Sequence, residues 1–313
     1  MKTKIKKVET VSIYQFLKRI PDEKTAREYV ESLVWVNGRY CPFCKSTNTV
    51  EVKDEKPMPY RCKDCRKHFS VRVGNIFESS KVSLQTWLAC IYLMTVAKKG
   101  VSSLQISRQL GITQKTAWML CHKIRKMWRM PVKRTLSGEV EIDETYIGGL
   151  ERNRHASQKL RIGRGTVGKQ AVVGVRDRYS KRIVGKVVNN VSRKILHDII
   201  RRTVKQGSHI YSDGHKAYHG LDGYLQSEVC HNIGEYVRQQ IHTNGIESFW
   251  SLLKRGYYGT FHYMSPKHLQ KYVDEFATRQ TMKCCDTVDM IAMTTKAAVG
   301  KHLPWKELVN VST

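Results

Sequence analysis

The chain has 313 residues and a formal net charge of +28, from 55 Lys and Arg against 27 Asp and Glu. At roughly 100–200 residues per domain, this length predicts about two domains with a small extra module. An apolar fraction of 41% is enough for real cores and argues against global disorder. The excess of positive charge predicts a nucleic-acid partner; the alternative is a basic surface that only aids solubility, as in a ribosome-associated factor.

The sequence argues against secretion and membrane insertion. Its start has charge but no apolar core of roughly 7–15 residues behind it. The longest apolar stretch, Leu84 to Ala97, contains Gln and Thr and falls short of the roughly 20 residues that span a bilayer, so it predicts a buried helix. Nine cysteines, four of them in a metal pattern, favour a reducing compartment. We therefore expect a cytoplasmic, nucleoid-associated protein with no membrane partner.

A short amphipathic helix is predicted over residues 22–33, and a cysteine pattern follows it. Cys41-Pro-Phe-Cys44 and Cys62-Lys-Asp-Cys65 form two C-x2-C knuckles that can close a tetrahedron around structural Zn²⁺. Redox chemistry is the rival interpretation, but a second matching pair argues against it. The basic residues around the second knuckle predict an edge that contacts DNA, unless they merely solubilise the module; they are Arg61, Lys63, Arg66 and Lys67.

Residues 101–125 have the pattern of a helix-turn-helix. Gly111 ends a first helix, and Thr113 can cap a second helix that runs from about Gln114 to Met127. A recognition helix offers its N-terminal side chains to base edges in the major groove, which here are Gln114, Lys115 and Thr116. Helical hairpins are common, so this interpretation depends on the cysteine module and the net charge beside it.

Residues 137–280 alternate strands and helices in the order βββαβ(α)βα. The predicted strands are 138–147, 170–176, 182–191, 208–212 and 227–231, and the predicted helices are 192–205, 244–255 and 266–280. The order, together with the positions of the acids, predicts an RNase H-like mixed sheet with flanking helices. Between the first two strands, residues 151–169 predict a mobile loop, in which Arg161 and Arg164 either contact DNA or belong to a solvated insertion.

Three acids in this region form a candidate metal site. Asp143 lies within the first strand, Asp213 ends the fourth, and Glu247 begins the penultimate helix. Converged carboxylates of this kind bind two Mg²⁺ about 3.5–4 Å apart, which supports in-line phosphoryl transfer. Each acid has a local alternative: Glu144 competes with Asp143, Asp213 could belong to a turn, and Glu247 could cap its helix.

The segments EIDETYIGG (141–149), YSDGHKAY (211–218) and HTNGIESFWSLLKRGYYGTFHYMSPKHLQKYVDEF (242–276) resemble prokaryotic insertion-sequence transposases with a zinc-ribbon head, which are ISXO-like and Merlin-related. The resemblance implies a DDE transposase in which Asp143 and Asp213 are metal ligands. It implies an Asn or Glu, followed by a Lys, at the third position. Asn244 and Glu247 both fit, and Glu247 is favoured because Lys254 lies two helical turns beyond it.

We accordingly expect a transposase that binds terminal inverted repeats and target DNA, as a homodimer or higher oligomer, with Zn²⁺ and Mg²⁺. The expected parts are an N-terminal helical segment (1–36), a zinc ribbon (37–80), a helix-turn-helix region (81–134), an RNase H-like catalytic domain (135–282) and a tail without an assigned role (283–313). Two other functions fit part of the pattern: a non-catalytic DNA-binding regulator, and an RNase H-like nuclease that does not join strands.

Overall fold

The computed structural model describes residues 9–129, 136–149, 153, 155–160, 165–213, 216–229 and 243–309. The chain divides into two compact units, one of residues 1–97, 101–128 and 284–313, and one of residues 98–100 and 129–283. In the described part of the chain, no helix is both long and apolar enough to cross a membrane. Arg161 and Arg164, two expected DNA contacts, lie outside the described residues.

The first unit contains a helical core and a small three-stranded sheet. Its helices are α1 (Ile13–Arg19), α2 (Glu23–Val34), α3 (Leu84–Val96), α4 (Ser103–Leu110) and α5 (Gln114–Trp128), and its strands are β1 (Thr49–Glu51), β2 (Tyr60–Cys62) and β3 (His68–Phe69). The predicted helix at 84–97 is confirmed: nine of the residues in α3 are buried. Antiparallel pairing in the order β1-β2-β3 holds the second cysteine knuckle between two strands.

Helices α4 and α5 are joined by a turn of three residues, from 111 to 113. Gly111 ends α4 in the left-handed region, at φ 64, which a residue without a Cβ adopts at no steric cost. At the start of α5, the Thr113 hydroxyl accepts a hydrogen bond from the backbone N–H of Thr116 at 3.2 Å. The end of α4 and the start of α5 therefore lie at the residues that the sequence indicated, and α5 ends at Trp128, one residue beyond the expected Met127.

The C-terminal segment also belongs to the first unit. It forms two further helices of this unit. They are numbered α9 (Thr287–Lys296) and α10 (Trp305–Val309) because three helices of the second unit precede them in the chain. Ile291 and Leu308 are buried in the same apolar cluster as α3 and α5. The indole of Trp128 in α5 donates to the Thr294 hydroxyl at 2.8 Å. This segment therefore supports α5, a structural role that the sequence pattern did not reveal.

The second unit is built on a five-stranded mixed sheet. Its strands are β4 (Glu139–Ile147), β5 (Gln170–Asp177), β6 (Ile183–Val188), β7 (His209–Asp213) and β8 (Leu225–Val229), in the order β6-β5-β4-β7-β8. The first three strands pair antiparallel, and β7 and β8 pair parallel. The strand order and directions are those of the RNase H-like sheet expected from the sequence.

Helices cover the sheet of the second unit and enclose two apolar clusters. They are α6 (Arg193–Thr203), α7 (Asn244–Gly256) and α8 (Pro266–Thr281). A glycine lets α7 approach closely, because a Cβ at Gly174 would lie 2.6 Å from the ring of Trp250 and 2.8 Å from Ile246. Gly174 is the register partner of Asp143, so α7 crosses the sheet beside that acid.

Candidate active site and zinc site

The four expected zinc ligands converge in the first unit. Their sulfur atoms all lie within 4.8 Å of one another, with Cys41 and Cys65 at 3.6 Å and Cys44 and Cys62 at 3.5 Å. Zinc–sulfur bonds of about 2.3 Å in a tetrahedron require sulfur atoms roughly 3.8 Å apart, so the donor set fits Zn²⁺. His68 is outside this group.

Both knuckles have the same local geometry. The residue after the second cysteine of each pair, Lys45 in one and Arg66 in the other, has a positive φ, at 65 and 59 respectively. A small aromatic core of Tyr60 and Phe69 packs against the cysteines. The basic side chains Arg61, Lys63, Arg66 and Lys67 are all exposed along this module.

Three acids meet at the centre of the large sheet. Carboxylate oxygens of Asp143, Glu144 and Asp213 lie within 4.8 Å of one another. Asp143 and Asp213 are on neighbouring strands, because β4 pairs parallel with β7 from Glu139↔His209 onward. Oδ1 of Asp213 is buried and has no hydrogen-bond partner among the described residues. A buried carboxylate oxygen without a partner is costly, and a hard divalent cation is a suitable partner for it.

The charges of the three acids also favour a bound cation. Burial, followed by the charges of Asp213 and Glu144, raises the pKa of Asp143 to about 7. Glu144 accepts a hydrogen bond from the Tyr218 hydroxyl at 2.5 Å. Burial and the charge of Glu144 raise the pKa of that phenol well above its ordinary value, so it remains a donor. Crowded, partly buried carboxylates of this kind are favourable only with a cation or a proton between them.

Helix α7 brings Glu247 and Lys254 to one cavity. The cavity measures about 860 Å³ and is lined by Asp143, Glu144, Glu247 and Lys254 together with Trp250 and Arg255. Asn244 instead lines a separate cavity, with Glu141 and Arg176. Glu247 is therefore placed on the side of the helix that faces the acids, and Asn244 is not.

The carboxylate of Glu247 is nevertheless outside the close acid group. It accepts a hydrogen bond from the Thr243 hydroxyl, at 2.8 Å, just before the helix begins. Glu247 therefore contacts the start of its own helix, which is the local alternative that the sequence left open for this residue. The close group instead contains Glu144, which the sequence placed only as a competitor of Asp143.

Two contacts at the site were not expected from the sequence. The indole N–H of Trp250 donates to Oδ2 of Asp143 at 2.9 Å. Glu141, two residues before Asp143, is completely buried and accepts from the backbone N–H of Ile246 at 2.8 Å. The sequence signal for the second contact was only a further acid in a strand that alternates acidic and apolar residues. Its burial is seen only in the structure.

In the first unit, the expected base-reading residues lie at the start of α5. Gln114 and Lys115 are exposed and Thr116 is half-buried. Nζ of Lys115 lies 4.7 Å from the ring centre of Trp305 in α10, and Gln114 donates to the Ser103 hydroxyl at 3.2 Å. Gln114 and Lys115 thus remain exposed to solvent at the start of α5.

Comparison with known proteins gives two family matches. Residues 135–281 match the ISXO2-like transposase domain, and residues 21–68 match the transposase zinc-ribbon domain. The resemblance to insertion-sequence transposases is confirmed. The transposase match contains the three clustered acids and α7, and the zinc-ribbon match contains all four cysteines.

The chain is also similar to a curated protein and to a solved structure. It is 28% identical, over 76% of its own length and 84% of the relative, to an uncharacterized protein in transposable element ISH50 of Halobacterium salinarum. It is 14% identical to a chain in the cryo-EM structure of the simian T-cell lymphotropic virus intasome in complex with PP2A regulatory subunit B56 gamma, covering 60% of this chain and 65% of that one, at a TM-score of 0.28. A similarity that low carries no argument about function.

Proposed function

We propose that the chain is a DNA transposase that binds the terminal inverted repeats of its element, cuts there and joins the ends to target DNA. The observation that carries the proposal is the cluster of Asp143, Glu144 and Asp213 on neighbouring strands, with a buried oxygen of Asp213 that lacks a partner in the described structure. The charge of +28 supports a polyanionic substrate.

Asp143 and Asp213 would hold divalent cations, with Glu247 as the proposed third ligand and Mg²⁺ as the expected metal. When bound, such cations activate an attacking water or 3′-hydroxyl and stabilise the leaving oxygen. Glu144 is held by Tyr218 and would share in neutralising the same charge. Lys254, exposed at the cavity, would hold a phosphate next to the scissile one.

DNA recognition is proposed for the first unit. Gln114, Lys115 and Thr116 would contact base edges from the start of α5, as in a helix-turn-helix. The exposed basic edge of the zinc-binding module would contact phosphates through Arg61, Lys63, Arg66 and Lys67. Arg161 and Arg164 remain proposed contacts. Pairing two DNA ends requires at least two protomers, so we propose a homodimer or larger assembly on DNA.

The test uses the zinc-loaded full chain and DNA taken from both sides of its gene. Incubation with Mg²⁺ should produce nicks at the ends of short inverted repeats, and pre-cut ends should be joined to a target plasmid. Cutting without joining would indicate a nuclease, and binding without either reaction would indicate a regulator. Both results contradict the proposal.

A further inference from the structure

We infer that Glu141 is a positioning residue that caps helix α7 from the neighbouring strand and thereby holds Glu247 and Lys254 opposite Asp143. The inference rests on the proposed function for its link to catalysis. It rests on five observations of the second unit: the burial of Glu141, its bond to the helix, its arginine partners, the close approach of Gly245, and the spacing of the contacts along strand and helix.

Helix α7 has no side-chain cap from its own segment. Its N-cap residue, Thr243, makes no side-chain capping hydrogen bond, although the first N–H groups of a helix have no partner within it. The N–H of Ile246, the third residue of the helix, donates to Oε2 of Glu141 at 2.8 Å and also to the carbonyl of Thr243 at 3.0 Å, so Glu141 is the side-chain acceptor of a shared donor. A carboxylate at this end also interacts favourably with the helix dipole. The cap thus comes from a residue 105 positions earlier in the chain.

The cap is held by buried charge pairs. Glu141 is 0% exposed, and it accepts from Nη1 of Arg176 at 3.1 Å and from Nε of Arg178 at 3.0 Å. The guanidinium of Arg178 also lies 3.8 Å from the ring centre of Tyr211. A carboxylate that is fully buried and bound on several sides has one orientation, so the bond that it makes to the helix has a fixed position.

The backbone of α7 fits closely against this cap. A Cβ at Gly245 would lie 1.4 Å from Nη1 of Arg176 and 2.5 Å from Oε2 of Glu141. Only glycine can therefore occupy this position while Glu141 and Arg176 keep their places. The requirement explains why a glycine is found in the first turn of a helix, where it is unfavourable by roughly 1 kcal/mol relative to Ala.

A second contact fixes the direction of the helix. Glu141 and Asp143 are two residues apart on one face of β4, a distance of about 6.7 Å at strand spacing. Their partners on α7, Ile246 and Trp250, are four residues apart, about 6 Å at helix spacing. Strand and helix are thus joined at two points of matching separation. Glu247 lies between the two points, so its position relative to Asp143 depends on both.

The test compares Glu141→Ala and Glu141→Gln with Glu139→Ala. Glu139 is on the same face of β4 and also pairs with Arg178, at 3.5 Å, but no hydrogen bond or ion pair joins it to α7 in the described structure. Glu141→Gln keeps an acceptor for Ile246 and loses the charge. Two quantities are measured on zinc-loaded protein: Mn²⁺ binding by electron paramagnetic resonance, and the Mg²⁺ concentration that gives half-maximal DNA cleavage.

Glu141→Ala should weaken Mn²⁺ binding and raise the half-maximal Mg²⁺ concentration by about tenfold or more, with DNA affinity within about twofold of the parent. Glu141→Gln should fall between Glu141→Ala and the parent, and Glu139→Ala should match the parent. If Glu141→Ala unfolds, Gly245→Ala, which displaces the same carboxylate, should show the same metal defect.

The inference is overturned if the folded Glu141 and Gly245 variants match Glu139→Ala in both measurements, or if they lose only thermal stability. That result would leave the proposed function intact, because the parent would still cut DNA. If the parent does not cut DNA, the Mn²⁺ titration alone decides the inference, and the proposed function fails separately.

Discussion

Trp250 donates its indole N–H to Oδ2 of Asp143 at 2.9 Å, across the interface between helix α7 and strand β4. The other oxygen of Asp143 accepts from the backbone N–H of Glu144 at 2.8 Å. Both oxygens of this acid are therefore oriented before any cation arrives. Pre-oriented ligands reduce the cost of assembling a metal site.

Trp250→Phe should slow metal-dependent cleavage by about tenfold while leaving DNA affinity within about twofold. Phenylalanine keeps an aromatic ring at this position, but it lacks the outer indole atoms that pack against Gly174 and loses the hydrogen bond to Asp143, which costs about 1.5 kcal/mol or more when the acceptor is charged. The measurement is single-turnover cleavage at several Mg²⁺ concentrations.

The matched control is Trp128→Phe, which removes an equally buried indole hydrogen bond, to Thr294 in the first unit. Its cleavage rate should stay near that of the parent once DNA is saturating. Equal rates for the two variants would show that the Trp250 bond does not act through Asp143.

Asp143→Asn should stabilise the metal-free protein, and the gain should grow with pH. The pKa of Asp143 is about 7 in the folded chain, above its ordinary value of about 3.9 in an unfolded one. The folded chain therefore holds the proton more tightly. Between about pH 4 and pH 7 the carboxylate makes the stability of the parent fall as pH rises, and above pH 7 the loss is complete.

Thermal unfolding at pH 5.5 and pH 8 in chelator-free, metal-free buffer measures this difference. The advantage of Asp143→Asn should be several degrees at pH 8 and smaller at pH 5.5, since each kcal/mol moves Tm by about 2–4 °C in a domain of this size. Excess Mg²⁺ should reverse the order by stabilising only the parent. A constant difference at both pH values would contradict the assignment.

Cys62→Ser should abolish zinc binding and, with it, the fold of the cysteine module. The apolar core around the cysteines is small, so most of its stability must come from the metal. Metal analysis should find one zinc per parent chain and much less in the variant. Cys284→Ser, a change at an exposed cysteine outside the cluster, should keep its zinc. Equal zinc contents in both variants would exclude the proposed site.

Lys115→Ala should weaken DNA binding. If the lysine contacts a phosphate, the slope of log affinity against log salt should become shallower by about 0.9. If the lysine reads a base, the preference for the element's ends over unrelated DNA should relax. Lys126→Ala removes the same charge from the same helix, but its Nζ pairs with Glu307 at 2.9 Å. The control should change the slope far less. Fluorescence anisotropy at four or more salt concentrations, with the element's ends and with unrelated DNA, measures both variants; identical slopes together with an unchanged sequence preference would place DNA elsewhere.

Much of the second unit could be predicted from the sequence because its signals are local. Alternation of apolar residues marks β4 and a continuous apolar run marks β5, and the predicted helices at 244–255 and 266–280 agree within one residue with α7 and α8. The strand predicted at 227–231 begins two residues earlier, at Leu225. Leu225, Gln226 and Glu228 of that strand are exposed, and it has little apolar pattern to fix its start.

The contacts that orient the site could not be predicted, because their partners are distant in sequence. Trp250 and Asp143 are 107 residues apart, and Glu141 and Ile246 are 105 apart. The third acid shows the same limit. Helical spacing predicts that Glu247 and Lys254 lie on one side of α7, and both line the same cavity. Glu144 joins the group of Asp143 and Asp213 only through the pairing of β4 with β7 and the hydrogen bond from Tyr218.

The C-terminal segment was missed for a related reason. Residues 287–309 lack a motif, and their apolar residues gain meaning only as part of the cluster that contains α3 and α5. Trp305 is 5.9 Å from Trp118 between ring centres, a contact across most of the chain. Local pattern alone could not connect the C-terminal segment with helices that far away in the sequence.

Metal-dependent cleavage of DNA that carries the ends of the element tests the proposed active site most directly. The proteins compared are the parent, Asp143→Asn, Asp213→Asn and Asp198→Asn. Asp198 is an exposed acid of the same unit that pairs with Arg202 on α6, so it controls for the loss of one charge. We expect the first two variants to bind this DNA as the parent does and to cut it at least about a hundredfold more slowly, while Asp198→Asn cuts normally. Cleavage at the parent's rate by Asp143→Asn or Asp213→Asn would contradict the proposed active site.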